Sequence, residues 1–138
     1  MPASLGNTKK AYIKVSSTYT WLGCEQSNNI NITQEAVETS DKSTAWAQFI
    51  AGKKGATAEI TVFADNNDNA QKAALKGIFN GASVEVFIGT LSGSTLQSGE
   101  AFAAIVTGVS ETNDFGAVSS RTISLTANGA VTHYPSLT

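Results

Sequence analysis

Between Asp41 and Ile88 the chain reads D-K-S-T-A-W-A-Q-F-I-A-G-K-K-G-A-T-A-E-I-T-V-F-A-D-N-N-D-N-A-Q-K-A-A-L-K-G-I-F-N-G-A-S-V-E-V-F-I. Within this run the apolar spacing passes from two to about 3.6 and back to two, so a loop with aromatics leads to a strand, a helix and a second strand. From Thr57 to Ala64, the residues Ala58, Ile60 and Val62 share one face and Glu59 and Thr61 the other. Ser83 to Ile88 repeats the pattern with Val84, Val86 and Ile88 inward and Glu85 outward, and it leaves Phe87 on the outward face in need of cover. Arg121 to Ala127 alternates again, as do shorter stretches from Tyr12 to Val15 and from Asn29 to Thr33. Strands with one apolar face assemble into antiparallel sheets over a core. The expected fold is mainly β with one α-helix, an antiparallel β-sandwich or barrel flanked by that short helix.

One strand breaks the alternation. In Ala101 to Val109, Phe102, Ala104 and Val106 are apolar on one face, and Ala103, Ile105 and Val109 on the other. That strand requires cover on both sides, from the helix or from a neighbouring subunit. The helix itself is expected from about Ala70 to Phe79, with Asp68 or Asn69 as N-cap and Gly81 as the left-handed C-terminal residue. Ala74, Leu75, Ile78 and Phe79 form its apolar stripe, with Lys72 and Lys76 toward solvent. Gly77 inside it costs about 1 kcal/mol relative to alanine and points to close approach of the sheet.

Composition narrows the function. With 138 residues, 41% of them hydrophobic, and two prolines, the chain suits a single domain spanning 1–138. Nine basic and eleven acidic residues are interspersed, so there is no basic stripe to grip phosphates. No apolar run is long enough to cross a membrane. The N-terminal M-P-A-S-L-G-N-T-K-K has no apolar stretch behind its lysines, which implies folding in a cytoplasm. Asn31-Ile32-Thr33 matches a glycosylation sequon and is read, without an export signal, as strand.

Motifs for chemistry fail on their own requirements. Asp65, Asn67 and Asn69 match the first ligands of a calcium loop, but Ala70 replaces the turn glycine and Lys76 the bidentate ligand, so a turn feeding a helix cap is expected. Gly52-Lys53-Lys54-Gly55 lacks the serine or threonine and the helix of a phosphate loop and is read as a solvated turn. Cys24, the lone cysteine, has no partner for a disulfide or metal site. His133, the single histidine, would have to fold back against Cys24 or a distant serine to make a catalytic group. No catalytic residues, cofactor or metal are expected. Tyr19, Trp21 and Phe115 beside polar loops are candidates for a sugar-stacking platform, weighed against packing or subunit contact.

The order of D-K-S-T-A-W-A-Q-F-I-A-G, A-E-I-T-V, D-N-A-Q-K-A-A-L-K-G-I-F-N-G and V-E-V-F-I, closed by F-A-A-I-V-T-G-V-S-E-T-N-D-F-G-A-V-S-S-R-T-I-S-L-T-A-N-G-A-V, resembles the major tail tube proteins of long-tailed, non-contractile bacteriophages. The resemblance covers about Asn29 to Thr132. It implies a β-sandwich or barrel with a helix on its flank, and a structural virion protein rather than an enzyme. Six subunits would close into a ring, and the rings would stack into a tube that conducts the genome during ejection. It also implies tape measure, tail terminator and tail tip proteins as partners, passage of DNA without binding, and assembly in the host cytoplasm into the virion tail. On this resemblance Glu59, Glu85 and Glu111 are candidates for the lumen-facing surface. Trp46, Phe49 and Ile50, in a loop from about Asp41 to Gly55, are candidates for contact with an adjacent ring, against the alternative that Trp46 folds back on its own core. Met1 to Lys10 and Val131 to Thr138 would be arms ordered by neighbours. Two other readings keep the fold class: a monomeric carbohydrate-binding or adhesin-like module, and a tube protein like that of type VI secretion.

Overall fold

The computed structural model describes residues 9–134, apart from Ser16, Cys24, Thr44, Gly93 and Ser94, and of Ser92 the backbone alone. Cys24, most of the expected N-terminal arm and half of the C-terminal one therefore lie outside the described residues. Eight strands and one helix follow in the order β1 (Lys10–Val15), β2 (Thr18–Trp21), β3 (Glu25–Glu38), β4 (Phe49–Phe63), α1 (Asn69–Asn80), β5 (Val84–Ser92), β6 (Thr95–Thr112), β7 (Ser120–Ala127) and β8 (Thr132–Tyr134). All pair antiparallel in one sheet of order β2-β1-β5-β6-β7-β4-β3, with β8 alongside β6. Of the two forms expected from sequence, the chain takes the barrel-like one. The sheet curls into a half-barrel whose two edges are β2 and β3.

Side chains bridge the two edges at one corner. Glu25 at the start of β3 accepts hydrogen bonds through Oε1 from Ala11 N in β1, at 3.1 Å, and from Trp21 Nε1 in β2, at 2.8 Å. Its Oε2 accepts from Asn28 Nδ2, which also donates to Lys9 O. Among the described residues no ladder joins β3 to β1 or β2.

The core lies on one face of the curled sheet. Ala58, Ile60 and Val62 of β4, Val86 and Ile88 of β5, Phe102, Ala104 and Val106 of β6, and Ile123 and Leu125 of β7 are all buried there, as alternation demanded. Helix α1 covers this face with Ala70, Gln71, Ala74 and Gly77. Asp68 caps it by accepting from Gln71 N at 3.0 Å, and Gly81 ends it with φ 70°. At Gly77 a Cβ would sit 3.2 Å from Val84 and Val106 methyls, so glycine here lets the helix descend onto the sheet. Phe79 is 83% exposed rather than part of the apolar stripe, because the buried face is centred on Ala70, Ala74 and Gly77. Residue 79 therefore points away from the sheet.

A polar network fixes the N-terminal end of α1. Gln71 is fully buried; its Nε2 donates to Gly23 O and Phe63 O, and its Oε1 accepts from Asp65 N and from Arg121 Nη1. Arg121, also buried, donates further to Glu111 Oε1 and Asn66 Oδ1. Asp68 Oδ2 takes Gly23 N as well. Every buried polar side-chain atom among the described residues has a partner. The Asp65 to Asn69 stretch is the turn and cap expected from sequence, with Asp65 Oδ1 accepting from Asn67 N.

Two glycines pinch β5 against β6. Gly89 and Gly99 face each other across the ladder with φ 157° and 144°, and an added Cβ at either would lie 1.9 Å or 2.1 Å from a carbonyl oxygen of the other strand. Only glycine permits this approach. On the far face of β5, Phe87 is completely buried under Tyr12, Tyr19 and Tyr134, with ring centroids 6.1, 6.1 and 6.2 Å away. The cover that Phe87 required is thus three tyrosines brought from β1, β2 and β8.

Candidate functional site

The sheet face opposite α1 is polar across its β3-β4-β7 half. The register aligns Asn29, Glu59 and Ser124 in one row across β3, β4 and β7, and Asn31, Thr57 and Thr126 in the next, with Ile105 of β6 beside Thr126. These rows line a shallow concavity of about 370 Å³ in which Glu59 is the one charged residue. Thr61 and Thr122 hydroxyls extend the pattern at 3.4 Å. On the β5 side of the same face, Glu85 pairs with Lys14 at 3.3 Å, and Lys14 lies over the Tyr19 ring. Burial raises the Tyr19 phenol pKa, with Glu85 adding to the effect; burial raises that of Tyr12, with Glu25 adding.

Glu111 does not join this face. The register of β6 slips between Val106 and Gly108, and a one-residue bulge turns every later side chain to the opposite side. Val109 therefore opposes Ile123 of the core, and Glu111 opposes Arg121, which holds it at 2.7 Å. The same slip returns Val109 to the core side, leaving Ala103 and the half-exposed Ile105 as the apolar residues on the other face of this strand.

Of the expected loop from Asp41 to Gly55, the second half, from Phe49 on, is strand. β3 and β4 continue as a two-stranded ribbon well past the core, pairing Val37 with Ile50 and Glu38 with Phe49, and only Thr39 to Gln48 turns. Lys53 and Lys54 lie inside β4 at a register shift, rather than in a solvated turn, because β3 supplies a ladder partner that far out. Thr39 N donates to Gln48 O, and Gln48 N donates to Ser40 Oγ, closing the turn. Trp46 does not fold back on the core: it is 84% exposed, and Phe49 and Ile50 are both exposed beside it. A ribbon of this kind is not stable through burial of its own.

A second apolar surface lies at the opposite end of β4. There the β6–β7 turn, residues 113–119, is tied to the chain after β4 by Ala64 N donating to Ser119 O at 2.9 Å. Phe115 at its tip is fully exposed, with Val118 and Phe63 exposed near it. The sequence pattern gave no sign that Phe63 and Val118 would be exposed.

Tyr19, Trp21 and Phe115 do not converge on one platform. Tyr19 packs on Phe87, Trp21 lies under Lys10 with its Nε1 on Glu25, and Phe115 is in the β6–β7 turn. A groove of about 590 Å³ follows the seam beside Trp21 and Glu25. His133 lies 3.9 Å from Glu100, across the β6–β8 pair. Among the described residues no group of His, Cys, Asp and Glu is placed to hold a metal, and no helix is long and apolar enough to cross a membrane.

No protein-family model matches the sequence, and no curated protein does. Solved structures do match. A chain in the tail of an empty gene transfer agent particle, with C6 symmetry, superposes with a TM-score of 0.81 over 95% of this chain and 98% of its own, at 14% identity. A chain of the native gene transfer agent virion gives 0.79 over 94% and 97%, at 13% identity. The SPP1 tail tube, solved by solid-state NMR and cryo-EM, gives 0.76 over 91% of this chain and 76% of its own, at 14% identity. In fold, a curled antiparallel sheet with one flanking helix, this chain is like the chains of the gene transfer agent tail and the SPP1 tail tube.

Proposed function

We propose that this chain is the repeating structural subunit of a phage-like tail tube, in which six copies close a ring and rings stack around a lumen that conducts DNA. The observation that carries the reading is the β3–β4 ribbon: it displays Trp46, Phe49 and Ile50 away from its own core, on a fold shared with a tail that has sixfold symmetry. Contacts that close by rotation need different surfaces on the two sides of a subunit, and the outer edges of β2 and β3 are such surfaces. The polar face carrying Glu59 and Glu85 forms the lumen wall, since hydroxyls, amides and carboxylates let a polyanion pass without capturing it. Trp46, Phe49 and Ile50 reach the adjacent ring. Tape measure, terminator and tip proteins are the further partners of such a tube, assembled in the host cytoplasm and carried in the virion tail.

The test is light scattering of the purified chain over a range of concentrations, with negative-stain electron microscopy of the concentrated sample. Rings or hollow tubes are expected. A monomer that stays monomeric even when preformed tube ends are added as seeds would overturn the proposal.

A further inference from the structure

Asparagine followed by glycine occurs twice, at Asn80–Gly81 and at Asn128–Gly129, and both asparagines are exposed. Asparagine is a thermolabile side chain. The backbone nitrogen of the next residue attacks its side-chain carbonyl carbon, and the new C–N bond closes a five-membered succinimide ring. Ammonia leaves, carrying off the proton of that backbone N–H. Water then opens the ring at one of its two carbonyls. The product is aspartate, or isoaspartate, in which the main chain runs through the former side chain and is one methylene longer. A glycine in the following position has no Cβ to crowd the attack.

Backbone conformation separates the two sites. Asn80 is the last residue of α1, and Gly81 caps it with φ 70°. Bringing Gly81 N onto the Asn80 side chain requires ψ to leave the helical well at about −42°, which undoes the last turn. Asn128 lies outside any regular element. β7 ends with Ala127 opposite Ala104, and β8 begins with Thr132 opposite Ala101, so residues 128–131 run past only Phe102 and Ala103 of β6. This link has chain to spare. Asn128 N donates to Ala103 O at 2.8 Å, fixing the start of the link, and Gly129 turns it with φ 111°. A Cβ at Gly129 would meet nothing within 4 Å, so the space beside the attacking nitrogen is open. Among the described residues neither the Asn128 side-chain amide nor Gly129 N has a hydrogen-bond partner.

We propose that Asn128 is a site of spontaneous conversion to aspartate and isoaspartate, and that the isoaspartate form loosens β8. A ladder of three pairs holds β8, with His133 3.9 Å from Glu100 and Tyr134 against Phe87. Tyr134 pairs with Gly99, and Gly99 with Gly89, so its ring reaches Phe87 across two residues that have no side chain. An extra methylene between the Ala103 anchor and Thr132 shifts that fit. Aspartate changes the charge alone and leaves the length of the link as it was.

The test ages the full chain in warm, mildly alkaline buffer and follows its peptides by mass spectrometry, with a methyltransferase specific for isoaspartate reporting that product. Asn128 is expected to convert roughly tenfold or more ahead of Asn80, since the helix end must fray before its ring can close. An Asn128 that persists, or an Asn80 that converts at the same rate or faster, overturns the site. For β8 the readout is hydrogen exchange at residues 99–101 and 132–134. Chain enriched in isoaspartate should exchange there roughly tenfold faster than fresh chain. Asn128→Asp should not, nor should equally aged Asn128→Gln, whose longer side chain closes such a ring poorly. Exchange that is unchanged in the isoaspartate form, or raised equally in Asn128→Asp, overturns the loosening of β8.

Discussion

Arg121 Nη1 donates to Gln71 Oε1 at 2.8 Å, joining β7 to the first turn of α1 across fifty residues of chain. Gln71→Leu would fill the same space but leave Asp65 N, Gly23 O and Phe63 O without their partner and remove an acceptor from a buried guanidinium. A loss of about 3 kcal/mol is expected in urea unfolding. Gln71→Glu keeps the acceptor for Arg121 and loses the two amide donations, so it should fall between Gln71→Leu and the unaltered chain.

Acid should act through Glu111. Hydrogen bonds from Arg121 first, and from Asn113 second, hold its carboxyl below the ordinary glutamate value of 4.5. The unfolded chain then binds more protons than the folded one between the two values, so this stabilisation is full above about pH 4.5 and is lost as pH falls through the folded value. Unfolding midpoints measured across this range should converge for the unaltered chain and Glu111→Gln as pH falls, and separate as it rises.

Alanine at Gly89 or Gly99 should be among the most damaging single changes in the sheet. The new Cβ would lie 1.9 Å from Ser98 O or 2.1 Å from Ile88 O, and both are backbone atoms held by the ladder. Destabilisation of about 3 kcal/mol, or failure to fold, is expected by thermal unfolding. Alanine at Gly116, where φ is 81° but nothing lies within 4 Å, should cost about 1 kcal/mol.

Trp46→Ser separates folding from assembly. Because Trp46 stands clear of the core, the unfolding free energy of the monomer should change by less than about 0.5 kcal/mol. Tube formation, followed by sedimentation, should be lost or need far higher concentration.

Glu59→Lys with Glu85→Lys would place cations on the polar face, the second beside Lys14. In particles built from this variant, DNA release should slow and become strongly dependent on salt, since each added cation releases counterions on meeting a phosphate. Release that remains independent of salt would remove these residues from the lumen wall.

Strands with one buried face were legible because a period of two admits one reading; Ala58, Ile60 and Val62 fall where alternation puts them. The helix was legible from Asp68 and Gly81, whose chemistry acts within a few residues. Features made by distant residues were not. Phe87 announced a need for cover, but nothing local shows that Tyr12, Tyr19 and Tyr134 supply it. Gln71 reads as a solvent residue until Arg121, Gly23 and Phe63 surround it. A one-residue slip in β6 moved Glu111 to the other face, and alternation has no means of registering a slip. Phe79 satisfied helical spacing with Leu75 but falls on the side of the helix opposite Ala70, Ala74 and Gly77, and spacing alone does not say which face the sheet covers.

The Glu25 seam gives the subunit a mechanical character. A sheet closed all round by ladders widens only by breaking backbone hydrogen bonds along a whole strand. Here the curl is left open, and at one corner a single carboxylate reaches Ala11 N and Trp21 Nε1, with Asn28 held beside it. The gap between the sheet's two edges thus depends on side chains and on the helix beneath it, where every other neighbour around the curl is held by a backbone ladder.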